Sequence, residues 1–514
     1  MLRIKTTDFL RDTILFGFTA LLLLIANFMT VLGGSVWEAA VNTMLVAIIF
    51  LNVSIFFSLI KNIRRDFSLL IFMAAFDILL LGRVYVSWLG TYSILLSRLE
   101  ADGFPQLFQA LQIIAVSQIF VYVAYRLAGP VFNKRETALQ EKGMGVVRYN
   151  PLTPILRQLS MIVLLVSSVP FFYSLFQTVL YVLKHGYLNS FTTQADGVPS
   201  IIGRLSMFFV PAFAVFLATL PNKKQMKLPL AVYGIYMVTS IFTGRRNIIV
   251  TEALMLVIYF VMRDNLLPKG KRLLKKRTLA VAGIFGIAAM YLLQLFALIR
   301  SGLSGASRNL GSMLVSFFDS QGASFRVIIQ TINHINSFNL SASYQYLFYP
   351  FELFVHNNVV TRALFGLTPI VEVQNSSFVQ TTHNFAHVLT YLVDPARYLS
   401  GGGFGTSYVA EAYVAYRIFG VIAVSLMIGF AFRFFSSLLS RSWVVIAASL
   451  IAIKSFVYIP RSFAFLWVTD VFNITYLCFF IAIYILALAI AKVGTHVRPA
   501  DGMTRPVFAL EDQG

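Results

Sequence analysis

The sequence predicts an all-α polytopic integral membrane protein with about twelve transmembrane helices and one large external loop carrying short helices. Three observations predict it. Of the 514 residues, 58% are hydrophobic and only 12% are charged, against about a quarter charged in a soluble domain. The apolar residues come in runs of about twenty, the length that crosses a hydrocarbon core as a helix. Basic residues cluster in alternate connections between those runs. The composition excludes an ordinary soluble enzyme and a disordered chain alike. Cys478 is the single cysteine, so no disulfide framework braces the connections.

Taken in order, the spans are expected near 14–32, 40–60, 67–87, 107–128, 158–182, 200–220, 229–243, 248–262, 278–298, 407–431, 443–458 and 463–490. The first has no small-residue cleavage site and reads as a retained span. The seventh and eighth are short and are joined by Thr243-Gly244-Arg245-Arg246-Asn247. One set of connections holds most of the 41 basic residues, among them Lys61, Arg64 and Arg65, Lys223, Lys224 and Lys227, and the run Lys269 to Arg277. The positive-inside rule places that set, and both termini, in the cytoplasm. The net charge of +20 is then topological signal and contact with anionic lipid, and no nucleic-acid partner is expected. The domain reading is a bundle of nine spans over 1–300, an external loop over 301–405, three spans over 406–492 and a cytoplasmic tail over 493–514. Structureless loops beyond about 15 residues are uncommon and, when ordered, functional. The loop's apolar stretches, 312–335 and 344–360, read as amphipathic helices on the membrane surface. It is expected to cover an active site.

Ionisable groups inside spans are expensive and therefore informative. They are Asp77, Arg83, Glu252, Glu411, Arg417, Lys454 and Asp470. Arg83 lies near a span end, where it is expected to snorkel. Lys454 snorkels or pairs with Asp470 or Glu411, and Asp77 and Glu252 read as internal ion-pair partners. Arg245, Arg246, Arg300 and Arg461 fall at external span ends, where positive-inside logic disfavours them. Guanidinium groups suit bidentate contact with phosphate, so the four together are candidates to clamp a diphosphate.

The loop holds His334, His356, His383 and His387. His383 and His387 are spaced to share one face if that stretch is helical. No acidic residue stands nearby in sequence, so acid–base work is the better reading than metal binding. Tyr344, Tyr346 and Tyr349 in the aromatic run 344–351 are candidates for stacking on sugar, with His387 beside them. Glu100 and Asp102 are the nearest thing to an acidic metal-holding pair, and no Asp-x-Asp occurs. No Walker, dinucleotide or nucleophile-elbow motif is present. No metal and no cofactor are expected.

The glycine-rich run Gly401-Gly402-Gly403-Phe404-Gly405 leads through Glu411 and Tyr413 into a span. With Gly244-Arg245-Arg246-Asn247, with Arg300 after the ninth span and with Arg461, it resembles the O-antigen polysaccharide polymerase (Wzy) family, including the enterobacterial common antigen polymerases. The likeness covers roughly residues 160–490. It implies a GT-C-like, metal-independent glycosyltransferase of the bacterial cytoplasmic membrane with its site facing outward. That enzyme joins undecaprenyl-diphosphate-linked oligosaccharide repeat units and releases undecaprenyl diphosphate. A chain-length regulator and a flippase are the implied partners. Arg245, Arg246, Arg300 and Arg461 would meet the diphosphate, and His383 or Glu411 would serve as base. Glu411 has the alternative of pairing with Arg417. Two other readings stay open: an O-antigen ligase and a lipid-linked oligosaccharide flippase.

Overall fold

The computed structural model describes residues 6–33, 36–90, 103–132, 151–187, 189, 200–245, 247–266, 286, 288, 290–292, 294–295 and 309–495. Among them the regular structure is entirely helical. In chain order the first helices are α1 (Thr6–Leu32), α2 (Trp37–Ile60), α3 (Ile63–Phe76) and α4 (Gly82–Leu89). Then follow α5 (Phe104–Leu127), α6 (Thr153–His185), α7 (Ser200–Ser206), α8 (Phe209–Ala218), α9 (Lys223–Ser240) and α10 (Asn247–Leu266). A layer of short helices comes next: α11 (Leu310–Gln321), α12 (Ser324–Asn333), α13 (Tyr344–Asn357), α14 (Val359–Phe365), α15 (Ser376–Thr381), α16 (Phe385–Val393) and α17 (Pro395–Leu399). The chain closes with α18 (Tyr408–Ser436), α19 (Trp443–Tyr458), α20 (Leu466–Val471) and α21 (Ile474–Thr495).

Ten helical stretches among the described residues are long and apolar enough to cross a membrane. The expected eighth span is the helix α10, which falls outside those ten because Glu252, Arg263 and Asp264 interrupt its apolar run. Most of the expected ninth span lies outside the described residues. Helix α5 packs along α2 and α18, and α8 packs against α6 and α19. One end of the bundle is pinned by Asp66, which is fully buried and accepts from Arg65 Nε at 2.7 Å and Tyr125 Oη at 2.7 Å, with Arg433 Nη1 at 3.6 Å. A buried carboxylate is tolerable only when paired and hydrogen-bonded in this way.

Two features depart from a bundle of straight spans. Helices α3 and α4 are joined by a π-helical turn, Asp77–Leu81. At its start Asp77 accepts from Asn52 Nδ2 at 2.9 Å and Gln118 Nε2 at 2.8 Å, so its partners are amides and not the cation expected of an ion pair. The second departure is α18, read from sequence as one span over 407–431. Its backbone is non-helical at Tyr416 and at Arg417, where φ is +55°. In a straight helix Tyr408 and Ser425 would stand about 25 Å apart. Here both reach the Ser117 hydroxyl, at 2.6 and 2.9 Å. A Cβ on Gly420 would lie 2.2 Å from the Ala412 carbonyl oxygen. The element is therefore a hairpin of two arms, 408–415 and 418–436, pressed together where the glycine leaves room. The second arm alone is long enough to cross a membrane at about 1.5 Å per residue.

Candidate functional site

Five of the seven short helices of the 309–407 stretch owe their starts to side-chain caps. Asn309, Asn358, Asn375 and Asn384 each accept from a backbone N–H in the first turn of α11, α14, α15 and α16, and Asp394 does so for α17. Such caps satisfy donors that a helix end otherwise leaves orphaned. Capping also decides where the histidines go. Asn384 starts α16, so His383 lies before the helix and His387 in its first turn. They do not share a helical face, and each finds its own partner.

His383 Nδ1 lies 2.9 Å from Glu352 Oε2, both side chains being about one-third exposed. A carboxylate only accepts, so Nδ1 carries a proton, and in the neutral imidazole Nε2 keeps its lone pair. The Tyr346 ring stands edge-on to the imidazole at 6.2 Å. Beside this pair, Glu372 accepts from Tyr349 Oη at 2.8 Å and from Asn384 Nδ2 at 2.6 Å. Burial, and then the Glu372 carboxylate, raise the Tyr349 phenol well above its ordinary pKa. His387 Nδ1 meets Tyr398 Oη at 2.9 Å, and burial lowers its pKa. Of the three tyrosines proposed to stack on sugar, Tyr346 and Tyr349 are buried and Tyr344 is open.

Beyond α17 the glycine-rich run turns down to the hairpin. Gln374 Nε2 donates to the Gly402 oxygen at 2.9 Å, and the Phe404 N–H donates to Thr390 Oγ1 at 3.1 Å. Glu411, on the first arm, is fully buried. It accepts from the Thr406 hydroxyl and from the Ala464 N–H at 2.9 Å. Its bonds therefore go to neither Arg417 nor Lys454. It ties the hairpin to the turn that follows Arg461. Arg417 instead lies over the Tyr413 ring at 5.7 Å.

The arginines divide. Arg461 ends a 3-10 turn, Ile459–Arg461, and donates from Nη1 to the Gln321 carbonyl oxygen at 3.3 Å. Arg83 does not snorkel: Nε reaches the carbonyl oxygen and Oδ1 of Asp319, both at 3.1 Å. Both guanidinium groups thus meet the carboxyl end of α11, where carbonyl oxygens concentrate negative charge. Backbones touch there too, since a Cβ on Gly322 would lie 2.0 Å from the Arg83 nitrogen. Arg245 is exposed in the turn between α9 and α10. Arg246 and Arg300 lie outside the described residues, as do Glu100 and Asp102.

One ion pair between α10 and α19 relates Arg245 to Arg461. Lys454 Nζ on α19 pairs with Glu252 Oε1 on α10 at 3.2 Å, and Glu252 also accepts from Tyr233 and Tyr236. Asp470 takes the Ser455 hydroxyl instead. One turn on, Met255 faces Leu450 and Ile451 across one small cavity, so the helices run antiparallel. Arg245 precedes Glu252 by as many residues as Arg461 follows Lys454, about 10 Å along each helix. The two arginines therefore occupy the same end of the bundle.

Glu352, Glu372 and Asn384 are the residues that the sequence does not mark. Glu352 lies on α13 and His383 in the link before α16, and only the folded layer joins them. The signal that was present is the asparagine before four of the seven short helices.

No curated protein and no solved structure matches this chain. A family model, O-antigen polysaccharide polymerase Wzy, matches residues 14–493. The match is to that family as a whole and does not single out the enterobacterial common antigen polymerases. It spans nearly the whole chain, and together with the apolar helices it makes this a multi-pass bacterial membrane protein of the O-antigen polysaccharide polymerase Wzy family, which works on lipid-linked oligosaccharide repeat units.

Proposed function

We propose that the chain is a metal-independent glycosyltransferase. It transfers a growing glycan from undecaprenyl diphosphate to the non-reducing end of an incoming undecaprenyl-diphosphate-linked repeat unit, on the outer face of the cytoplasmic membrane. The observation that carries the chemical reading is the 2.9 Å contact between His383 and Glu352. An imidazole held with Nδ1 toward a carboxylate presents Nε2 as a general base. The acceptor hydroxyl gives its proton to Nε2 while its oxygen attacks the anomeric carbon of the donor. The carbon–oxygen bond to the diphosphate breaks, and undecaprenyl diphosphate leaves with the electron pair. Arg245, Arg246, Arg300 and Arg461 stabilise the negative charge that develops there. Arg461 donates from one nitrogen to Gln321, and a guanidinium has five N–H groups. Glu411 holds the hairpin and is second to His383 as base. Tyr344 lines the sugar groove, with Tyr346, Tyr349 and His387 shaping its floor. Both termini lie in the cytoplasm, residues 301–405 form the outer cover, and a flippase and a chain-length regulator work beside it.

The test is a gel of surface glycan from a deletion strain complemented with wild type, Arg300→Ala and His383→Ala. The reading expects the ladder to collapse to a single repeat unit and only wild type to restore it. Complete absence of attached glycan would assign the chain to ligation or flipping instead. Normal ladders with both variants would remove Arg300 and His383 from the chemistry.

A further inference from the structure

Apart from the proposed clamp, the structure brings two other arginines together. Arg326 from α12 and Arg397 from α17 converge on one ring, Phe404, with guanidinium carbons 4.6 and 4.9 Å from its centroid. Phe404 sits in the glycine-rich run and is fixed through its N–H to Thr390 on α16. Arg397 is exposed, while Arg326 and Phe404 are half-buried. The stem of Arg397 is held as well, because Gly402 packs where a Cβ would come within 2.8 Å of Arg397 Cγ. Asp394, three residues before Arg397, spends its carboxylate on the Arg397 backbone N–H at 2.9 Å. The Arg397 guanidinium therefore meets an aromatic ring and no carboxylate among the described residues.

A guanidinium laid on a ring is fixed in direction, with its N–H edge still able to grip a planar anion. Two of them on one ring concentrate positive charge, and Arg397 carries it to the solvent-exposed side. Thr390 stands about 9 Å along α16 from the Asn384 cap, so this pair lies within one short helix of His383. We infer that Arg326, Phe404 and Arg397 form an anion subsite for the saccharide substrate. It takes a carboxylate on an acidic sugar near the reacting end, or else the phosphates of a second carrier lipid. This inference rests on the polymerase reading for the identity of its ligand and not for the binding itself.

Binding is measured by calorimetry on the full chain in lipid nanodiscs with three probes: trigalacturonate, its trimethyl ester and farnesyl diphosphate. Trigalacturonate is expected to bind, the ester to bind at least about tenfold more weakly, and Arg397→Gln and Arg326→Gln each to weaken the acid by about tenfold, as loss of one charge-assisted bond implies. Arg397→Lys, which keeps the charge but loses the planar fork, is expected to behave like Arg397→Gln. If farnesyl diphosphate is the probe whose binding these variants lose, the subsite stands and its anion comes from the carrier lipid. Equal binding of acid and ester, with no change of any probe in the variants, would overturn the subsite. Because Arg397 is exposed, its variants test the idea even if Arg326→Gln fails to fold. A deletion strain that keeps its glycan ladder would remove the polymerase reading and leave the calorimetry to be judged alone.

Discussion

His383 and Glu352 form a pair that a sequence cannot announce. A histidine in a polar loop and a glutamate in an aromatic run look unrelated until α13 and the cap of α16 bring them to 2.9 Å. If Glu352 positions the imidazole, Glu352→Gln should lower kcat and leave KM unchanged, while His383→Ala should cost about 10² to 10⁴ in rate. A matching rise in KM for Glu352→Gln, read in reconstituted vesicles, would make it a packing residue only. His387 carries a different expectation. Its pKa is held below the ordinary 6.5 by burial, so in acid the unfolded chain takes up a proton that the folded chain resists. Stability is then full above about pH 6.5 and is lost as the pH falls through and below it. The melting temperature should fall between about pH 7.5 and 5.5, and less steeply in His387→Gln. Equal slopes would show that another group sets the acid limit. The four arginines proposed as a clamp stood out in the sequence because a cation at a span end expected to be external breaks a rule. Arg326 and Arg397 broke none and stayed silent.

Among the elements, long apolar runs were read well, because twenty apolar residues in sequence have few other fates. The hairpin at α18 was not. Its turn falls at Tyr416 and Arg417, inside the apolar stretch 407–431, where charge enters only at Glu411 and Arg417, with no proline and with its glycine three residues further on. Tertiary contacts at Ser117 bend a segment whose local preference is to run straight. Gly420 is where that bend is most exposed to test. Placing a methyl group 2.2 Å from the Ala412 oxygen forces the arms apart, and overpacking of this kind costs about 1–3 kcal/mol. Gly420→Ala should lower the melting temperature and the yield of detergent-stable protein. An unchanged melting curve would mean that the arms separate freely.

For the whole molecule, the proposed orientation makes a prediction that needs no substrate. With Cys478 replaced by Ser, a cysteine at Ser400 should react with a membrane-impermeant maleimide on intact cells, and one at Lys492 only after lysis. The reverse pattern would invert the topology and move the short-helix layer to the cytoplasm. That the molecule is built of many apolar spans was visible in the sequence from hydropathy. The way the layer fastens to the bundle was not, since Arg83 meets Asp319 across 236 residues and Arg461 meets Gln321 across 140. Arg83 comes just after the π-helical turn at Asp77–Leu81. A π turn is an α-helix with one residue too many. Deleting one residue from a regular helix rotates everything beyond by about 100°. Deleting one from this turn instead removes the surplus residue and leaves both flanks in register, so Arg83 should stay on Asp319. A frame-preserving loss of a single apolar residue, damaging in most membrane helices, would here leave the outer layer fastened to the bundle.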